Sequence, residues 1–247
     1  MDRKARKAVV GRGFSRALVF TTIVAAALVA TPRAQGGRGR ATPQAQLSRA
    51  ADAVLNLKSA TFTIQREGTP AFLDEKTGVT FTTAQCIYAA PDRVSCDVKI
   101  TSKTGTVLQI TRVWVPEGTF QSNPLTRQYV KVPPDSVFNG ALLFARTGIP
   151  EILRTGVANP QAAGNETLRE KNTLHLKGEV KGERMIPFMG AMLQADQMYP
   201  VDMWMEEQTA NPVRLHVTEP AGNGWLIDLF SINTPVDIPT PKVPAAQ

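Results

Sequence analysis

An alternation of apolar and polar residues through residues 59–132 constrains the fold of this chain more than any other feature. Phe62 and Ile64, for example, are separated by Thr63, and a period of two is that of a β-strand with one buried face. Turn-forming residues divide the segment, as in 68–78, so consecutive strands are expected to pair antiparallel. We predict a meander with strands at residues 59–67, 79–89, 93–103, 105–115, 118–121 and 127–132.

Strand patterns return after residue 165, and helical patterns precede and interrupt them. Apolar residues at helical spacing predict helices within residues 44–57, 136–157 and 183–195. Because a large antiparallel sheet must cover one of its faces, these apolar helices are expected to pack against it. The fold class is therefore α+β, with further strands at residues 166–169, 173–180, 201–206, 212–219 and 225–232.

The last helical segment carries a stripe rich in methionine. Met185, Phe188, Met189, Met192 and Leu193 recur at the i, i+3, i+4, i+7 and i+8 positions of one helix face. Such a stripe is typical of ordinary core packing, yet methionine is unbranched and polarizable and also suits a cavity whose contents vary in shape. The spacing shows which face is apolar but not whether the space beyond it is filled, so both interpretations stay open.

The two cysteines, Cys86 and Cys96, are predicted to face one another. They lie at equal distances from the centre of a hairpin around residues 90–92, and paired residues of adjacent strands come close enough for a cross-strand bridge. In an exported chain we expect a disulfide, and two buried free thiols are the alternative. Together with two distant histidines, these cysteines provide no convergent set of ligands, so we predict no metal site.

The N-terminal region is typical of an export signal. Seven basic residues and one acidic residue lie within residues 1–34, and segment 17–30 is uncharged and largely apolar. Because this segment is shorter than the roughly 20 residues of a membrane span, we interpret 1–34 as a signal peptide, with an uncleaved N-terminal anchor as the alternative. No cysteine follows it as an acylation site. We predict a flexible linker at 35–43, one domain at 44–238 and a Pro-rich tail at 239–247.

Charge and motif content argue against several classes of function. The N-terminal region accounts for six of the seven net positive charges, so the remainder is nearly neutral and gives no reason to expect nucleic-acid binding. The sequence lacks a Gly-x-Ser-x-Gly elbow, a phosphate-binding Gly-rich loop and a His-Glu-x-x-His motif. His175 and His216 each lie between apolar residues of a predicted strand and are expected on its polar side. We predict no enzymatic activity, no catalytic residue and no cofactor.

The middle of the chain resembles the LppX/LprG family of envelope lipoproteins. The resemblance is carried by PEILRTGVANPQAAGNET at 150–167 and TLHLKGEV at 173–180, which match a short helix, an Asn-Pro, a Gly-x-Glu-Thr strand start and a Gly-containing strand end. It continues through VDMWM at 201–205 and NPV at 211–213. Two features depart from the family pattern: the lipidated cysteine is missing, and the pair Cys86 and Cys96 is not typical of it.

The resemblance implies a single curved antiparallel sheet of about ten or eleven strands, a half-barrel similar to LolA and LolB, with helices over its concave face. It also implies an apolar cavity for acyl chains, so that the chain is an exported lipid carrier or chaperone, either in the periplasm and cell envelope or secreted. The expected partners are a lipid or glycolipid as cargo, a membrane surface as donor or acceptor, and an envelope transporter. The alternative is a non-enzymatic interaction or scaffold protein of the same fold with a filled core. The residues expected to wall the cavity are Leu142, Phe144, Ile152, Leu153, Met185, Phe188, Met189, Met192 and Leu193.

Overall fold

Twelve strands form one antiparallel sheet in the computed structural model, which describes residues 41–133, 140–189 and 193–244. Their order is β7-β6-β5-β4-β3-β1-β12-β11-β10-β9-β8, and β2 pairs with β3 outside this order. The predicted single antiparallel sheet is therefore confirmed. The strands are β1 (Ser59–Glu67), β2 (Ala71–Asp74), β3 (Val79–Ala89), β4 (Arg93–Thr101), β5 (Val107–Val115), β6 (Gly118–Ser122), β7 (Tyr129–Val132), β8 (Val157–Leu168), β9 (Lys171–Lys181), β10 (Met198–Glu206), β11 (Pro212–Thr218) and β12 (Gly224–Phe230).

Two meanders, β3 to β7 and β8 to β12, meet at the first strand. Phe62 on β1 lies opposite Cys86 of β3 on one side and Leu229 of β12 on the other. Just beyond β12, the backbone N–H of Asn233 donates to the carbonyl of Ser59 at 2.9 Å. Because β7 and β8 are the two edges of the sheet, the chain between them has to cross from one edge to the other. The part of this connection that carries short helices is residues 140–156, and we call it the crossing segment.

The helical elements lie on the face of the sheet that contains Phe62, which we call the inner face. Residues of α1, α2, α3 and α4 form one core with side chains from alternating positions of the strands, as period-two burial requires. This arrangement confirms the expectation that helices cover one face. The elements are α1 (Pro43–Leu55), α2 (Gly140–Phe144), α3 (Ile149–Glu151) with a π-helical turn directly after it (Ile152–Gly156), and α4 (Ile186–Met189) after a 3-10 turn (Gly182–Arg184).

Helix α1 begins with a capped turn and packs on the crossing segment. The Thr42 side chain accepts a hydrogen bond from the N–H of Ala45 at 3.2 Å, and Pro43 occupies the first turn, where its missing N–H has no cost. Its buried residues follow helical spacing. An ion pair between Asp52 and Arg154 connects it to the π-helical turn. The buried residues of α1 are Leu47, Ala50, Ala51 and Val54.

The helix predicted over 183–195 is shorter in the structure. Helix α4 ends at Met189, and Leu193 lies in a bend outside it, so the predicted position of Leu193 on a helix face is wrong. The physical reason is that the following chain returns beside the start of the segment: Gly182 N–H donates to Gln197 O and Glu183 N–H to Ala195 O, both at 2.8 Å. These bonds lead the chain into β10 instead of extending the helix.

Two strands differ from the sequence prediction. Strand β2 lies within a segment predicted as a turn, and β8 begins at Val157, nine residues before the predicted start at 166. Strand β8 contains Pro160 and register shifts on both sides of Gln161. Since β8 is an edge strand, one side of its backbone needs no partner, and proline and bulges are tolerated there.

The predicted disulfide between Cys86 and Cys96 is confirmed. The two residues are opposite one another on β3 and β4, with 4.1 Å between their Cα atoms, and both are fully buried. The bridge therefore joins two central strands on the inner face of the sheet.

A second, smaller apolar cluster lies on the outer face. Val113, Val115 and Phe120 pack there with Ile238 of the C-terminal segment, whose carbonyl accepts a hydrogen bond from Arg93 Nη1 at 3.0 Å. Within the part of the chain that the structure describes, no helix is long and apolar enough to cross a membrane.

Candidate functional site

One cavity on the inner face, which we call the β5 cavity, has a volume of about 90 Å³. Strand residues form most of its wall, and the helical elements contribute only Leu143 of α2 and Met189 of α4. With the exception of Arg112, every lining residue is apolar. The lining residues are Ile64, Leu73, Phe81, Ala84, Val98, Ile110, Arg112, Trp114, Leu143, Met189, Trp225 and Ile227.

The smaller β10 cavity has a volume of about 50 Å³ and lies under α3 and the π-helical turn. Its floor is formed by β9 to β12 and its cover by residues of the crossing segment and of the segment around α4. Short π-helical turns of this kind interrupt regular helix hydrogen bonding and often occur at functional sites. The lining residues are Ile149, Ile152, Leu153, Val180, Met185, Met189, Val201, Asp202, Met203, Leu215, His216, Val217 and Ile227.

The two cavities share Met189 above the sheet and Ile227 within it. Both spaces therefore border on these two residues. Methionine has three rotatable side-chain bonds and changes shape at low cost, so a rotation of Met189 is the simplest way to join the cavities.

Four of the predicted wall residues line a cavity in the structure. Met189 lines both cavities, and Ile152, Leu153 and Met185 line the β10 cavity. These residues come from the π-helical turn, from α4 and from the position directly before α4, so the crossing segment and the α4 region meet over the same space.

Three predicted wall residues line neither cavity. Phe144 is 5% exposed and stacks on Tyr88, with ring centroids 4.2 Å apart, and its edge meets Phe62. Leu142 is half-buried against the same core, and Leu193 is buried in it. Of the remaining predictions, Phe188 belongs to α4 but its side chain lies outside the described part of the structure, and Met192 lies outside the described residues.

The strands contribute wall residues that the sequence reasoning did not name as part of the site. Ile64, Phe81, Val98, Ile110 and Trp225 all occupy inward positions of predicted strands. Their signal in the sequence was the period-two pattern itself, which gives the buried face of each strand. Their role as a wall depends on the space above them, which that pattern does not report.

Arg112 is the one charged side chain with an inward position in the wall of the β5 cavity. It lies between Ile110 and Trp114 along β5, and both of these line the same cavity. Its Nη2 donates to Gln121 Oε1 at 2.6 Å. Burial lowers the pKa of the Arg112 guanidinium from its ordinary value, because removal from water disfavours the charged form.

A second inward-facing arginine, Arg66, ends the row of Phe62 and Ile64 on β1 and is held by a carboxylate. Its guanidinium donates to both carboxylate oxygens of Glu219, at 2.5 and 2.9 Å, and lies over the Trp225 ring at 4.9 Å. Trp225 Nε1 also donates to Glu219. The Arg66 and Glu219 side chains are only 7% and 13% exposed, so this is a nearly buried, bidentate ion pair.

The two histidines make their side-chain contacts on the outer face, and His216 also belongs to the lining of the β10 cavity. His175 Nε2 is 2.6 Å from Asp202 Oδ1, its Nδ1 is 3.2 Å from Glu166 Oε1, and its ring stacks on Trp204. His216 Nε2 is 2.9 Å from Glu67 Oε2. These contacts are hydrogen-bonding and stacking interactions between strands. Among the residues that the structure describes, no group of three or more His, Cys, Asp or Glu side chains could hold a metal ion.

Comparison with solved structures finds the same fold in two mycobacterial proteins. LprF from Mycobacterium bovis aligns with 81% of this chain and 96% of its own, with a TM-score of 0.66 and 17% identity. The Mycobacterium tuberculosis lipoprotein LppX aligns with 80% of this chain and 98% of its own, with a TM-score of 0.57 and 18% identity. At these identities the similarity establishes the fold, a curved half-barrel of the LppX type.

Comparison of sequences gives the family. No curated protein matches the chain significantly. The family model described as LppX_LprAFG lipoprotein, however, matches residues 42–238, which is most of the chain. The chain therefore belongs to the LppX_LprAFG lipoprotein family.

Proposed function

We propose that this chain is an exported lipid carrier, which binds the acyl chains of a lipid or glycolipid between sheet and helices and transfers the lipid within the cell envelope. The observation that carries the proposal is the presence of two apolar cavities that share Met189 and Ile227 in their linings. Burial of acyl chains there is favoured by about 0.8 kcal/mol per methylene group. The family and the fold shared with LprF and LppX support it.

The size of the cavities requires the site to open on binding. Their volumes of about 90 and 50 Å³ are below the roughly 300–1,000 Å³ of typical ligand pockets. Within the described residues, the cover contains helices of five, three and four residues and one π-helical turn, whereas the floor is a continuous hydrogen-bonded sheet. We infer that the cover moves away from the sheet and that Met189 rotates, which joins the two cavities around the acyl chains.

We further propose that attachment to the envelope does not use an acylated cysteine of this sequence. The chain has two cysteines, and both belong to the Cys86–Cys96 disulfide. Neither has a free thiol that could carry an acyl chain. Export and localisation by the N-terminal basic and apolar segment, either as a cleaved signal or as an anchor, are part of the proposal.

Native mass spectrometry of the purified chain tests the carrier function. We expect an additional mass of lipid size that is lost after solvent extraction, and we expect the extracted protein to take up a fluorescent acyl probe. If the chain contains no lipid and takes up no probe, it is not a carrier.

The small cavity volumes also favour a second candidate function, an envelope scaffold of the same fold with a filled core. In that case the whole inner face is closely packed, as it is where the rings of Phe144, Tyr88 and Phe62 meet. Transfer between vesicles separates the two functions. A carrier accelerates the movement of a labelled lipid from donor to acceptor vesicles, and a scaffold leaves the spontaneous rate unchanged.

A further inference from the structure

The three most exposed large apolar side chains among the described residues lie at one end of the sheet. Leu125 is 84% exposed, Val107 64% and Phe72 53%. They belong to the β6–β7 turn, to the first position of β5 and to β2. Because successive antiparallel strands reverse direction, the β2–β3, β4–β5 and β6–β7 turns come to the same end of the sheet. We call this end the exposed rim, which consists of Phe72, Val107 and residues 75–78, 102–106 and 123–128.

Hydrogen bonds hold Leu125 at the tip of its turn. Asn123 Oδ1 accepts from the backbone N–H of Leu125 at 2.8 Å. On the other side of the tip, Arg127 Nη1 donates to the carbonyl of Gln109 at 3.4 Å, two positions along β5 from Val107. The β6–β7 turn therefore lies beside the start of β5, so Leu125 and Val107 belong to the same part of the rim. Exposed apolar side chains that are grouped in this way are typical of an interaction surface.

The β4–β5 and β6–β7 turns add only positive charge to these apolar side chains. Lys103 lies in the first turn and Arg127 in the second, and both are exposed. Residues 98–134 contain one acidic residue, Glu117, which lies in the β5–β6 turn at the opposite end of the sheet. The β2–β3 turn contains residues of both signs, so the positive charge of the rim is confined to the part that contains Val107 and Leu125.

Apolar tips beside basic side chains match the surface of a bilayer that contains anionic lipids. Leucine and valine can enter the boundary between head groups and acyl chains, while lysine and arginine are attracted by the negative head groups. A second copy of the chain is a less suitable partner for the same surface, because a contact between two rims would bring like charges together.

The exposed rim is also close to the β5 cavity. Leu73 follows Phe72 on β2 and lines this cavity. Ile110, which lines it as well, is three positions along β5 from Val107. A bilayer in contact with the rim would therefore lie near the apolar space between sheet and helices.

We propose that the exposed rim docks on bilayers that contain anionic lipids, with Val107 and Leu125 inserted at the boundary and Lys103 and Arg127 next to the head groups. Lipid then enters and leaves the chain at this end of the sheet. This inference rests on the proposed carrier function and adds the surface by which the carrier meets a membrane.

An environment-sensitive dye on the full-length variant Thr126→Cys tests whether the rim itself contacts a membrane, since both native cysteines are in the disulfide. With vesicles of equal parts phosphatidylcholine and phosphatidylglycerol, we expect a blue shift of the dye emission. Vesicles of phosphatidylcholine alone should bind about tenfold more weakly or worse, because two basic side chains lose their attraction. The same dye on Gln208→Cys, in the exposed β10–β11 turn at the opposite end, should not respond. No shift at residue 126, or equal shifts at both positions, overturns the inference.

Substitutions separate the apolar part of the surface from its control. Leu125→Ser should weaken binding to the anionic vesicles about tenfold in a flotation assay, because a leucine side chain no longer leaves water. Ile87→Ser removes an isomeric side chain that is 37% exposed on β3 and is not part of the rim, and it should leave binding unchanged. The basic N-terminal segment is the same in both variants, so their difference reports the rim. Equal effects of the two substitutions contradict the docking surface.

The charged part of the surface is tested in the same assay. The double variant Lys103→Gln, Arg127→Gln should reduce the preference for anionic over neutral vesicles about tenfold or more. Lys58→Gln, which removes an exposed charge before β1 at the opposite end, should leave that preference intact. A preference that survives in the double variant, or that Lys58→Gln also removes, overturns the assignment to the rim.

Uptake of a soluble fluorescent acyl probe in the absence of vesicles distinguishes failure of docking from failure of the carrier function. The rim variants should take up this probe like the wild type. Uptake by a wild type whose rim does not contact vesicles overturns the docking inference alone, whereas no uptake by the wild type removes the carrier function. Sedimentation velocity covers the other occupant: a dimer that Leu125→Ser dissociates, without vesicle contact in the wild type, would make the rim a contact between copies and overturn the inference.

Discussion

The β5 and β10 cavities lie on the same face of one sheet but have walls of different character. The β5 cavity is enclosed mainly by strands, and the Cys86–Cys96 disulfide joins two of the strands that form it. The β10 cavity is covered by five residues of the crossing segment and the α4 region, among them Met185 and Met189. A wall of hydrogen-bonded strands resists displacement, whereas a cover of single helical turns has few backbone bonds to hold it.

For the proposed carrier, we infer from this difference that the two cavities have different tasks. The β5 cavity has the more fixed wall, because hydrogen-bonded strands form most of it. The β10 cavity has the neutral, flexible cover that is suited to acyl chains of varied length. Met189 lines both cavities.

The strongest test of a fixed β5 wall is the buried ion pair at its end. Glu219→Gln keeps the shape of the side chain but leaves the Arg66 guanidinium without a counter-charge beside Trp225. Removal of one partner from a buried pair typically costs about 3–5 kcal/mol of stability. We expect a loss of this size in the free energy of unfolding measured with urea.

The matched control for this variant is Glu117→Gln. Glu117 pairs with Arg93 at 3.5 Å, and its side chain is half exposed to solvent. Water can replace that partner, so the control should lose only a small fraction of the stability lost by Glu219→Gln. Similar losses in the two variants would show that the Arg66 pair does not fix the wall.

Substitutions that fill each cavity test whether the wall of the β10 cavity moves to accommodate a larger side chain more easily than the wall of the β5 cavity. Ala84 lines the β5 cavity and Val201 the β10 cavity, and both are buried on inward strand positions. Ala84→Phe should reduce the affinity for a fluorescent acyl probe at least tenfold, because the surrounding strands do not move apart to make room. Val201→Phe should reduce it less than fivefold, because the helical cover can be displaced.

Circular dichroism and thermal melting are the controls for these two variants, because a folded protein is needed to interpret either affinity. The reverse order of effects would show that the acyl chain depends more on the β10 cavity and that its cover is the more rigid wall. Equal and full retention of affinity would place the acyl chain outside both cavities.

The sequence predicted the fold well where strands have one apolar face. Residues such as Phe62 and Ile64 lie inward as their alternation indicates, and the hairpin geometry correctly paired Cys86 with Cys96. The prediction failed along the start of β8, where ANPQAAG lacks apolar alternation. That strand is held by pairing with β9 and not by a buried face of its own. Its own sequence therefore lacks the apolar alternation that predicts a strand.

The site was only partly predictable for a related reason. Helical spacing identified Met185 and Met189 as apolar, and both line a cavity. The same reasoning also selected Phe144, which fills its space by stacking on Tyr88. Whether an apolar side chain meets protein or empty space depends on the distance between sheet and cover, which no local pattern specifies. The sequence does show a charged residue, Arg112, at an inward strand position. It does not show that this residue lines a cavity, because that depends on the space beside the strand.

The smallest expected effect concerns the packed region around Tyr88 and Phe144, which line neither cavity. Tyr88 stacks on Phe144, and its hydroxyl donates to the carbonyl of Pro91 at 3.2 Å. Burial, and then the nearby charge of Asp92, raise the pKa of Tyr88 above its ordinary value of 10.0. In the unfolded chain Tyr88 therefore loses its proton at a lower pH than in the folded protein. The unfolded state then binds fewer protons above about pH 10, so the stability falls with rising pH, by at most about 1.4 kcal/mol per pH unit for one group. Tyr88→Phe cannot ionise, and its free energy of unfolding should decline less steeply than that of the wild type between pH 10 and 11. Parallel declines in the two proteins would mean that the region around Tyr88 is open to water, and the contrast between a packed centre and the two cavities would be lost.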